Sequence, residues 1–173
     1  IPQIFIGIED GAISLIETTG FVFIVGIMTV AGADAILKVE GKTLDFLKTL
    51  PVTKKQFAMS KAVSMCIIPT VLEIAVIGLG LYFDSQVIYL IPLALLLPFT
   101  SALVTMAYLY RYKGEEIGTP EFNYKKMFLL FIIVGALFGV IALPILLLDF
   151  IPKYFISYGI AFVSAFLVYR FMK

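Results

Sequence analysis

Five apolar runs, each long enough to cross a bilayer as a helix, leave this chain few folds to choose from. A hydrocarbon core of about 30 Å is crossed by about 20 helical residues at a rise of ~1.5 Å each. The runs cover residues 13–33, 62–83, 87–110, 127–148 and 154–172. Across the 173 residues, 61% are hydrophobic and only 14% are charged. A soluble domain carries about a quarter charged residues, and one of this size still leaves much of its surface wet. Lipid is the solvent that suits this composition. The expected fold is all-α, a polytopic membrane bundle of five transmembrane helices in a single transmembrane domain over residues 1–173. Pro69, Pro92, Pro98 and Pro144 fall inside the runs and read as kinks, which membrane helices tolerate.

The single cysteine, Cys66, excludes an intrachain disulfide. The absence of histidine excludes His-ligated metals, His general bases and a Ser-His-Asp triad. The net charge of +1 gives no reason to expect nucleic acid. Its distribution is more informative. Of the 13 basic residues, Lys38, Lys42, Lys48, Lys54, Lys55 and Lys61 lie in or beside the first long connection. Arg111, Lys113, Lys125 and Lys126 lie in the second, and Arg170 and Lys173 close the chain; only Lys153 falls on the other side. The positive-inside rule then puts both long connections and the C-terminus in the cytoplasm of a cell-membrane protein. The N-terminal segment, with Glu9 and Asp10, is expected outside. No basic n-region marks a signal peptide. At least one further span is therefore expected before Ile1, making a six-span module with both ends cytoplasmic.

The first long connection carries the most information. Across residues 40–61, Leu44, Phe46, Leu47 and Leu50 fall within an arc of roughly 160° at 100° per residue. Lys42, Asp45, Lys48 and Thr49 occupy the other side, and Pro51 stops the helix. Thr53 and Gln56 have the spacing of a capping box for the next helix, with Val52 and Phe57 placed as a hydrophobic staple. This is a cytoplasmic amphipathic helical hairpin. It either anchors the loop on the headgroups or presents a docking surface to a cytoplasmic partner.

The pattern Glu40-Gly41-Lys42-Thr43-Leu44, then Leu47, then Leu50-Pro51-Val52-Thr53-Lys54, then Lys61, resembles the permease subunits of type-2 ABC exporters. The resemblance implies that this chain holds spans two to six of a six-span permease module. It also implies that residues 40–61 are the coupling helix that meets a separate ATPase subunit. Thr43, Leu44, Asp45, Leu47, Lys48, Leu50, Pro51, Thr53 and Lys54 become the expected ATPase-coupling residues. The implied partners are an ABC-type ATPase, a second permease copy or homologous half, and the bilayer. The short turn at 149–153 departs from relatives that carry a larger external loop or re-entrant helix there.

Gly41-Lys42-Thr43 is not a phosphate-binding loop. That motif needs a glycine five residues earlier, where Ile36 stands, and a preceding strand. The chain is therefore expected to be a transport component without enzymatic chemistry or a cofactor of its own. ATP and Mg belong to the partner.

Glu17 and Glu73 lie inside spans, where an acid at the helix centre costs roughly 2.5–3.5 kcal/mol on insertion scales. Each marks either a substrate or proton path, or a protonated acid bonded to hydroxyls such as those of Thr18, Thr70, Ser101 or Thr105. The other readings are thus an ion-coupled secondary transporter using Glu17 and Glu73, or a non-transporting membrane scaffold. Gly135 and Gly139, and Ser157, Ala161 and Ala165, recur at four-residue spacing. They allow close helix packing within the bundle or against a second copy. Tyrosines near the span ends form an aromatic belt.

Overall fold

A computed structural model describes residues 15–40, 53–112, 124–148 and 152–171. All of the regular structure in these residues is helical. Helix α1 spans Leu15–Glu40 and α2 spans Lys54–Gly80. A 3-10 segment, Ser85–Leu90, leads into α3, Ile91–Tyr112. Helices α4 and α5 span Tyr124–Leu147 and Pro152–Phe171. Five stretches are long and apolar enough to cross a membrane, and they match the five runs of the sequence.

Three boundaries differ from expectation. Helix α1 continues past Asp34 to Glu40, because residues 33–40 contain no glycine or proline to stop it. The second membrane stretch starts at Lys55 rather than residue 62. The Thr53 cap starts α2 there, and long lysine stems let a charged first turn sit at an interface. Pro92 is not a mid-span kink. It occupies the second position of α3, where its missing N–H costs nothing. Pro69, Pro98 and Pro144 do lie inside helices.

The tight turn between α2 and α3 is formed by residues 81–84. The Phe83 and Asp84 amides donate to the Gly80 carbonyl at 3.0 and 2.9 Å, and the Asp84 carboxylate caps the 3-10 segment by accepting from the Gln86 amide at 2.8 Å. Gly80 is required by close approach. A Cβ there would lie 3.0 Å from the Thr18 hydroxyl and 3.1 Å from Val87 Cγ1.

Helix α3 is the hub, packed against α1, α2 and α5 and more lightly against α4. One apolar cluster joins Val22, Ile77, Leu90, Leu97, Phe138 and Tyr154 towards the Asp84 turn. A second joins Ala58, Ala62, Met65, Leu103, Met106 and Ala165 at the opposite end of the bundle. That second end is also the basic end, where the Lys55 ammonium lies 3.9 Å from the centre of the Tyr169 ring.

The two small-residue patterns have different fates. Ser157, Ala161 and Ala165 are buried within the bundle, as close packing requires. Gly135 and Gly139 are not packed in it: a Cβ at either would meet nothing within 4 Å, because both look away from the neighbouring helices.

Candidate functional site

Two regions carry the chemistry expected from the sequence. The first is the entry to α2. The Thr53 hydroxyl accepts from the Gln56 amide at 3.2 Å, and the Gln56 side-chain oxygen accepts from the Thr53 amide at 3.0 Å. Two amide protons that a helix start leaves unpaired are thereby satisfied, and α2 begins sharply at Lys54, three residues after Pro51. Thr43, Leu44, Asp45, Leu47, Lys48, Leu50 and Pro51 lie outside the described residues, as does the amphipathic helix they were expected to form. Lys54 opens α2, and nothing further is described of its side chain.

The second region lies within the membrane-crossing helices. Glu17 is half-buried in the first turn of α1. Glu73 is 0% exposed. It sits on the buried stripe of α2 formed by Ala58, Ala62, Met65, Glu73, Ile77 and Gly80. Spacings of three, four and eight residues keep that stripe on one face. The expected hydroxyl bond to Glu73 is not formed. Neither carboxyl oxygen has a hydrogen-bond partner, and the Thr18 and Ser101 hydroxyls are likewise buried without one. The reason is partly local. Hydroxyls on these helices turn back to their own backbone, as Thr29 does to the Val25 carbonyl, Thr100 to Leu96 and Thr105 to Ser101. Thr18 sits beside Gly80, about 10 Å along the axis from Glu73.

A third feature escaped the sequence. Tyr89 and Tyr154 stack at 5.5 Å with an interplanar angle of 18°, and the Tyr158 hydroxyl donates to the Tyr89 carbonyl. Lys153 lies 5.4 Å from the centre of the Tyr154 ring. Sequence position puts these tyrosines near span ends. Their convergence depends on α5 docking beside the start of α3, which no local pattern encodes. Among the described residues, no three His, Cys, Asp or Glu side chains come together as metal ligands would.

Long apolar helices, a central helix enclosed by others, and polar side chains turned inward define a multi-pass membrane protein. Compared with known families, the whole chain, residues 1–173, matches the one described as "Membrane protein of 12 TMs", and it belongs to that family. No curated protein and no solved structure matches it.

Proposed function

We propose that this chain is a membrane-spanning component of an ATP-driven transporter, coupled through residues 40–61 to a separate ATPase. The observation that carries the reading is the entry to α2. In the sequence Leu50-Pro51-Val52 leads directly to Thr53, and Thr53 and Gln56 form a complete capping box. Such a start fixes where α2 begins, at the basic end of the bundle. A sharply capped helix start can pass force from an ATPase docked on residues 40–61 into α2 and, through α2, to the central helix α3 on which it packs. Twelve spans in the family equal two six-span sets, the number that a paired-permease reading requires. In this reading the basic end is cytoplasmic. Single cysteines in a Cys66→Ala background should then be reached by an impermeant thiol reagent in intact cells at Ser85 but not at Thr119. The reverse pattern would overturn the orientation.

The coupling claim is tested by charge reversal. Lys48→Glu preserves helix propensity and should weaken co-purification of the ATPase or uncouple ATP hydrolysis from transport. Leu47→Asp puts a charge on the side of the 40–61 stretch that the sequence pattern marks as apolar and should instead lower expression. Undiminished ATPase binding and transport across reversals at Asp45, Lys48 and Lys54 would leave residues 40–61 as a membrane anchor only. The second reading, an ion-coupled transporter, is favoured by one specific observation, the fully buried and unbonded Glu73. Flux driven by an ion gradient without ATP would select it.

A further inference from the structure

Two stripes of small side chains meet the central helix at the basic end of the bundle. Ala58, Ala62 and Met65 of α2 and Ala165 of α5 join Leu103 and Met106 of α3 in one buried cluster. Followed one step further towards the membrane surface, each stripe ends on a side chain of another kind. On α2 it reaches Lys55, three residues before Ala58; on α5 it reaches Tyr169, four residues after Ala165. Helical spacing keeps each of them on its stripe's face. The two meet there, the Lys55 ammonium standing 3.9 Å from the centre of the Tyr169 ring. Both lie at the ends of their membrane-crossing stretches, Lys55–Gly80 and Pro152–Phe171. That is the level at which tyrosine rings sit among lipid headgroups.

Positive charge gathers at this junction without a local acid. Lys54 and Lys55 occupy the first turn of α2, where the helix dipole is already positive, and that turn holds no acidic residue. Arg170, next to Tyr169 in the last turn of α5, is exposed. Among the described residues, the acids towards this end, Asp34 and Glu40, belong to α1. The ammonium of Lys55 lies over a ring and not a carboxylate, and an ammonium so placed keeps N–H donors for an anion. Deeper in the membrane both helices are apolar on the outside: Val63 and Ile67 of α2 and Phe162 and Phe166 of α5 are exposed.

A partner that answers both features is an amphiphile, with a negative head at the level of Lys55 and hydrocarbon beneath it. A free phosphate would meet the charge and leave the apolar surface uncovered. We propose that the Lys55–Tyr169 junction, with Arg170 beside it, binds the headgroup of an anionic phospholipid whose acyl chains lie along α2 and α5. The site depends neither on the ATP-driven reading nor on its orientation, and its test requires no ATPase.

The test is thermal unfolding of the detergent-solubilised full chain, with phosphatidylglycerol titrated into the micelles against phosphatidylcholine. Phosphatidylglycerol should raise the melting temperature saturably, by about 5–10 °C at ~100 times the half-saturating concentration. Phosphatidylcholine should not. Lys55→Gln and Arg170→Gln should each raise the half-saturating concentration about fivefold, the factor expected for one basic residue at an anionic surface. Lys153→Gln, at the opposite end of α5, should leave it unchanged. Native mass spectrometry counts lipid on the folded protein, so a variant that melts early is still scored. Fewer bound phosphatidylglycerol molecules on Lys55→Gln than on the wild type would support the site, and an equal number would overturn it. Inorganic phosphate should give no comparable rise; equal protection by phosphate alone would mean a free-anion site and sink the lipid assignment. Equal stabilisation by the two lipids, or a loss in Lys153→Gln as large as in Lys55→Gln, would also overturn the proposal.

Discussion

Helices α3 and α4 are both apolar and both long enough to span a bilayer, yet they occupy opposite environments. In the α3 stretch 56% of residues are buried within the chain; in the α4 stretch the figure is 22%. On α3, the consecutive residues Thr100, Ser101, Ala102 and Leu103 are all buried, so that helix is surrounded on every side at that level. Among the described residues of α4, the buried ones are Leu130, Val134, Phe138 and Ile141, a single stripe at spacings of three and four. The composition follows the environment. The central helix buries the hydroxylated residues Thr100, Ser101 and Thr105, whereas residues 127–147 of α4 contain no serine or threonine. Lipid tails are as apolar as leucine, so no hydrophobic force draws α4 inward. Close packing selects which helix is central: Ala94 and Ala102 of α3 are buried against its neighbours, whereas Gly135 and Gly139 of α4 pack against nothing.

The comparison can be broken, or sharpened, by substitutions of decreasing effect. Phe138→Ala removes the main α4 side chain in the core, which packs edge-to-face on Phe23 at 6.0 Å. It should lower stability in mixed micelles by about 3 kcal/mol, read from denaturant unfolding. A loss below ~1 kcal/mol would mean that α4 is not docked as described. Gly26→Ala comes next. A Cβ there would meet Phe138 at 2.6 Å and Leu97 at 3.1 Å, where α1, α3 and α4 converge. Overpacking of this kind costs about 1–3 kcal/mol, and the pair Gly26→Ala with Phe138→Leu should recover part of it. Leu146→Ala, at a position 72% exposed, should change stability by less than about 0.5 kcal/mol. Gly139→Ala should be the smallest of all, near zero or slightly stabilising by its helix propensity. A marked loss at Gly139 in the complete protein would show that another helix covers this face.

Much of this architecture was legible in the sequence. Length and hydropathy located all five spans, because a bilayer leaves helices no other way to satisfy their backbone. The capping box at Thr53 and Gln56 was readable for the same reason: it is local, two side chains answering two amides three residues apart. The position of Pro92 was misjudged because the 3-10 segment ahead of it, set by the Asp84 cap, moves the helix start to Ile91. Which helix is central was not readable, since α3 and α4 differ in a few small side chains and not in period. The Tyr89–Tyr154–Tyr158 assembly depends on contacts between residues far apart in sequence. The depth of Glu73 inside its span was visible; its lack of a hydrogen-bond partner was not.

The central claim is that α3 is enclosed by protein while α4 faces lipid. Spin labels on single cysteines in a Cys66→Ala background, read by oxygen accessibility in bilayers, test it most directly. Labels at residues 100–103 of α3 should show uniformly low accessibility. Labels at residues 128–143 of α4 should oscillate with the helical period, high at Leu129, Ile132, Ala136 and Val140 and low at Leu130, Val134 and Ile141. High or oscillating accessibility across residues 100–103 would contradict the enclosed helix and, with it, the arrangement of the whole bundle.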